Sequence, residues 1–212
     1  VSVMLPIEFL GEFDIILKVA NLVRSFTSKI SQVGLISYTS KLKQSMQYEK
    51  LGILFLRGTF YSLLFCIYLS LLVAFFTVDI IKIWVGMDFI HLSNHIKIMI
   101  LQVITTNILS VGSVILIGLH KIKEIISVSL LNAIFTLLIM IFLTKYFSLS
   151  GTVIAYTIGS VFLMFPYLIK TLNILEISVN NFIRNVIYRI LYPTIITFTL
   201  LVLLSTSVNG LI

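Results

Sequence analysis

The feature that most constrains this chain is a series of long apolar runs separated by short charged or turn-rich breaks. A helix rises about 1.5 Å per residue, so about 20 apolar residues in succession cross the hydrocarbon of a bilayer. Six such runs are read, over residues 13–38, 56–78, 96–117, 124–144, 150–170 and 187–206. The breaks fall at 41–50, 79–97, 118–124, 145–150 and 170–184. The second, fourth and sixth runs are almost pure Leu, Ile, Phe and Val. Hydrophobic residues make up 59% of the chain and charged residues 11%, against about 25% charged in a soluble domain. A water-soluble fold of this size still exposes about a third of its unfolded surface, too much to hide that excess. The expected fold is an all-α membrane protein, a multi-pass bundle of about six transmembrane helices forming one domain over 1–212. Lipid offers the backbone no partner, so each helix must satisfy its own backbone groups. Disorder, a secreted disulfide scaffold and a cytosolic enzyme are excluded by composition.

Fifteen Lys and Arg against eight Asp and Glu give a net charge of +7. In a soluble protein that balance would suggest nucleic acid. In a membrane bundle it reads as cations gathered on the cytoplasmic side, and no nucleic-acid partner is expected. Lys41, Lys43, Lys50, Arg57, Lys121, Lys123, Lys170, Arg184 and Arg189 fall on one side of the alternating breaks, and only Lys82, Lys97 and Lys145 on the other. The first helix then runs from outside to inside. Cys66 is the single cysteine, so no disulfide forms within the chain. The chain opens Val1-Ser2-Val3-Met4 with no basic leader, and is expected to be a piece of a longer protein.

The first helix carries the remaining three cations, Lys18, Arg24 and Lys29. Each would cost about 2.5–3.5 kcal/mol at the centre of a lipid-facing helix. At about 100° per residue, Asp14, Lys18, Asn21, Ser25, Ser28, Lys29 and Gln32 share one arc about 100° wide. Ile15, Ile16, Val19, Leu22, Val23, Phe26, Ile30 and Val33 fill the other face, and Arg24 flanks the polar arc. Such a stripe reads as the wall of a water-filled cavity, suited to phosphate or pyrophosphate. The competing reading is structural pairing, for which Asp14 stands four residues before Lys18.

Two lesser polar stripes lie at Gln102, Thr105, Thr106 and Ser113, and at Ser129, Asn132 and Thr136. Interhelical hydrogen bonding accounts for such residues more often than substrate contact does. Gly151, Ala155, Gly159 and Ser160 form a small-residue packing face. His91 and His95 stand four apart without a third ligand, so no metal site is expected. No phosphate loop, CxxC pair or Ser/His/Asp set is present. No cofactor and no enzymatic activity are expected.

Taken in order, several short motifs resemble the C-terminal half of polysaccharide (O-antigen type) flippases of the multidrug/oligosaccharidyl-lipid/polysaccharide exporter superfamily. They are Leu10-Gly11, Ser40-Lys41-Leu42, Arg57, Ile83-Trp84-Val85-Gly86-Met87-Asp88-Phe89, Gly118-Leu119-His120-Lys121, and Leu149-Ser150-Gly151-Thr152-Val153-Ile154-Ala155. Ser37 stands where the family often has proline. The resemblance implies the C-terminal lobe of a two-lobe exporter fold, with an N-terminal lobe elsewhere in the native chain, around a cationic cavity. It implies passage of an undecaprenyl-pyrophosphate-linked oligosaccharide across the cytoplasmic membrane for surface polysaccharide assembly. On that reading Arg24 and Lys29 would hold the pyrophosphate or an acidic sugar, Lys18 would recruit it near the outer mouth, and Asn21, Ser25 and Gln32 would meet sugar hydroxyls. The expected partners are that anionic lipid-linked substrate, membrane lipids and the other lobe. The alternatives are a multidrug exporter of the same superfamily and a non-transporting scaffold of a polysaccharide assembly complex.

Overall fold

The computed structural model describes residues 7–32, 39, 41 and 48–209, with side chains described for 9–28, 39, 41, 49–203. Among the described residues every regular element is helical. They are α1 (Ile7–Gln32), α2 (Tyr48–Phe75), α3 (Thr77–Trp84), a 3-10 turn (Met87–Leu92), α4 (Ser93–Gly118), α5 (Ile122–Ile174), α6 (Val179–Phe182), a π turn (Ile183–Ile187) and α7 (Tyr188–Asn209). Four stretches are long and apolar enough to cross a membrane: Glu49–Phe75, Met87–Gly118, Ile122–Ile174 and Val179–Leu203.

The third stretch holds 53 residues, which as one rod would run about 80 Å, far beyond a hydrocarbon core of about 30 Å. It is two helices. At Ser148 the backbone leaves helical space (φ 47°, ψ −123°) and the chain folds back on itself. Arms 122–147 and 149–174 then pair antiparallel: Phe135 stacks on Phe162 with ring centroids 3.9 Å apart, and Lys170 Nζ sits 2.5 Å from Glu124. The two helices expected at 124–144 and 150–170 are these arms.

Side-chain contacts fix the direction of each helix. Arg24 meets Gln102 and Glu12 meets His91, so α1 and α4 run parallel. Thr105 meets Ser160 and His95 meets Ser150, so arm 149–174 runs with them. Ser62 meets Asn107 and Gly58 faces Val111, so α2 runs against α4. Phe55 stacks on Phe182 and Phe75 on Phe198, which sets α7 parallel to α2. Connections therefore alternate between two ends. Lys41, Lys50, Lys121, Lys123, Lys170 and Arg184 lie at or near one end, and Lys82, Lys97 and Lys145 at the other; Lys43 is outside the described residues. Cysteines at Asn94 and Lys123, in a Cys66→Ser background, should label from opposite sides of the membrane with an impermeant maleimide. Same-side labelling would break the topology.

Three expected boundaries need correction. α1 begins at Ile7, not 13, because Phe9 and Phe13 already pack into the core; residues 33–38 lie outside the described ones. α2 is already helical at Tyr48, not first at 56, and Glu49 and Lys50 are exposed residues of that helix rather than a break. The expected break at 79–97 is itself helical. α3 turns into the 3-10 segment through Gly86, whose φ of 118° is a conformation that side chains disfavour. Gly86→Ala is expected to cost about 1 kcal/mol, read as a lower unfolding temperature in detergent.

The core divides into two apolar halves. Toward one end, Phe13, Ile16, Val19, Val23, Ile96 and Met99 pack together. Toward the other, Leu51, Phe55, Ile115, Leu172, Phe182 and Val186 do. On α4 the first half ends at Val103 and the second starts at Ile108. Between them lies a polar layer at mid-helix, and this layer positions the candidate site.

Candidate functional site

α1 is amphipathic in the way its sequence requires, with Phe13, Ile16, Val19, Ala20, Val23 and Thr27 buried along one face. That stripe packs on α4 and α2. Asp14, Lys18, Asn21 and Ser25 are exposed on the outer side of the helix. Lys18 Nζ lies 2.7 Å from Asp14, so the anticipated i, i+4 pair forms and neutralises one of the three cations. Ser25 Oγ donates to the Leu22 carbonyl at 2.9 Å. The side chains of Lys29 and Gln32 lie outside the described residues. Of the sequence candidates with described side chains, Arg24 alone reaches the interior.

Arg24 is half-buried, and its guanidinium donates to Asn21 Oδ1 at 3.1 Å and to Gln102 Oε1 at 2.5 Å. Both acceptors are neutral. Among the described residues Arg24 makes no ion pair, so no carboxylate compensates it at mid-helix depth. Such a charge is expensive in a bilayer unless water or an anion reaches it.

A cavity of about 490 Å³ lies beside it, between α1, α4 and the two arms of α5. Gln102, Thr106, Asn132, Thr136, Tyr156 and Ser160 contribute to its wall along with Arg24. Three polar atoms of this wall are buried without a hydrogen-bond partner: Arg24 Nε, Asn132 Oδ1 and Thr136 Oγ1. Buried polar groups are satisfied as a rule, and here a donor, an acceptor and a hydroxyl are left unsatisfied within the wall of one space. The arrangement suits a ligand with an anionic group for Arg24 and hydroxyls for Asn132 and Thr136.

The lesser stripes divide. Thr105 bonds Ser160 at 2.8 Å and Tyr167 donates to Ser113 at 2.8 Å, so these tie helices together. Gln102, Thr106, Asn132 and Thr136 face the cavity instead. In the sequence they stand on separate helices, and no spacing joins them to Arg24. The available signal was depth: Arg24 aside, each stands near the middle of its apolar run. The two histidines are apart in function, His91 meeting Glu12 at 3.0 Å and His95 meeting Ser150 at 2.8 Å. Compared with family models, with curated proteins and with solved structures, the chain matches none.

Proposed function

We propose that the protein is a membrane transporter for an anionic, sugar-bearing lipid, the undecaprenyl-pyrophosphate-linked oligosaccharide flipped in surface polysaccharide assembly. The observation that carries the reading is Arg24: a permanent charge at mid-helix, held by neutral acceptors, beside a cavity with unpartnered polar atoms. A pyrophosphate supplies the missing counter-charge, and the guanidinium fork matches its oxygens. Asn132 and Thr136 offer hydrogen bonds of the kind sugar hydroxyls take. The exposed polar side of α1, with Lys18, Asn21 and Ser25, would face the second lobe across the transport path, and the membrane would be the cytoplasmic one. The motif series around Trp84 and Gly151 supports the same flippase family. The test is polymer export by an Arg24→Ala variant, which is expected to fail.

A further inference from the structure

A second cationic cavity lies away from Arg24, between α2 and α7 near the cation-rich end. It measures about 570 Å³ and is walled by Arg57 and Arg189, with Asn185 and Tyr61 beside them and Ile53, Leu56 and Phe60 as its apolar floor. Both arginines are exposed, and neither makes an ion pair among the described residues. No carboxylate contributes to the wall. Two like charges on facing helices repel unless an anion lies between them.

Depth identifies the anion. Arg57 stands eighteen residues before Phe75, the end of α2, which is about 27 Å of helix. That matches the thickness of the hydrocarbon, about 30 Å. With the end of α2 at one interface, the Arg57 guanidinium lies at the other, level with lipid phosphates, and Arg189 reaches the same cavity from α7. The π turn Ile183–Ile187 is placed just before Arg189 and locally widens the helix that carries it. Such turns recur at functional sites.

We propose that this cavity holds the phosphate of an anionic phospholipid of the cation-rich leaflet. The two guanidinium groups clasp the phosphate, and the start of the acyl chain lies on Ile53, Leu56 and Phe60. A soluble phosphate would satisfy the arginines but leave that apolar floor bare, so the lipid is the occupant. The site is independent of the transport reading and involves no residue of the Arg24 cavity.

The test is a lipid titration of the purified protein in detergent, followed by native mass spectrometry. Phosphatidylglycerol, zwitterionic phosphatidylcholine and inorganic phosphate are the three probes. Phosphatidylglycerol is expected to bind at least tenfold more tightly than phosphatidylcholine. Arg57→Gln and Arg189→Gln, made singly so that the test does not depend on a double variant folding, should each weaken it about tenfold, as loss of a charge-assisted contact implies. Arg57→Lys should retain part of the preference. Equal binding of the two lipids, undiminished binding in both glutamine variants, or competition by inorganic phosphate at matched concentration would overturn the proposal.

Discussion

Arg24→Ala is expected to abolish export of surface polymer while leaving the protein folded in the membrane at its normal level. On the proposed function the two effects separate, because the charge would serve the ligand and not the helix bundle. An arginine at the centre of a lipid-facing helix costs about 2.5–3.5 kcal/mol on the insertion scale, and alanine relieves the part of that cost that Arg24 bears beside its cavity. Against this, Gln102, buried on α4, loses its partner, a penalty of about 1–3 kcal/mol. The two nearly cancel, so abundance and unfolding temperature should change little. Ligand binding has no such compensation. Losing a charge-assisted fork should weaken an anion by about ten- to a hundredfold. Arg24→Lys keeps the charge without the fork and should export at a reduced rate, while Arg24→Glu should be inactive. Polymer export measured beside membrane abundance checks all three. Normal export by Arg24→Ala would remove the proposed function.

The second large effect concerns the fold-back at Ser148. Gly151→Val should prevent arms 122–147 and 149–174 from closing, because even a Cβ at this position lands on the backbone carbonyl of Leu143. Backbone cannot swing aside as a rotamer does, so the arms must part and Thr144 loses Thr152, 2.9 Å away. A loss of more than about 4 kcal/mol is expected, a size reserved for such collisions. Gly159 offers the contrast. A Cβ there meets Thr136 first, whose hydroxyl and methyl can rotate while its Cβ needs only a small shift, so Gly159→Ala should cost about 1–3 kcal/mol. It should also disturb the cavity that Thr136 lines. Unfolding temperature in detergent for the two variants should rank Gly151→Val far below Gly159→Ala. Equal stabilities would mean that the arms do not pack as described.

Much of this architecture is legible in the sequence because lipid leaves few options. Apolar runs of fixed length must be helices, and charged breaks must lie at their ends. Residues 145–150 read as a break, and the chain does reverse there. Boundaries proved less legible at Glu49, Lys50, Asp79 and Lys82, since hydropathy marks where a helix enters lipid and not where it begins. The site was half visible. Arg24 stood out as a costly charge, and the pairing of Lys18 with Asp14 followed from their spacing. The convergence of Gln102, Asn132 and Thr136 on Arg24 did not follow, because each polar residue has a local explanation and only packing decides which face meets which.

The central claim is that Arg24 looks into a wet, anion-seeking cavity, and α5 supplies its own control. Asn132 lines that cavity, whereas the adjacent Leu131 and nearby Leu138 are 68% and 63% exposed on the outer surface. In a Cys66→Ser background, cysteine at Asn132 should react quickly with a small water-borne thiol reagent, because only a hydrated thiol ionises readily. Cysteine at Leu131 or Leu138 should hardly react. Pyrophosphate should slow the reaction at Asn132, and that protection should vanish when Arg24 is replaced by alanine. Reaction at Asn132 no faster than at Leu131, or protection that persists without Arg24, would contradict the account.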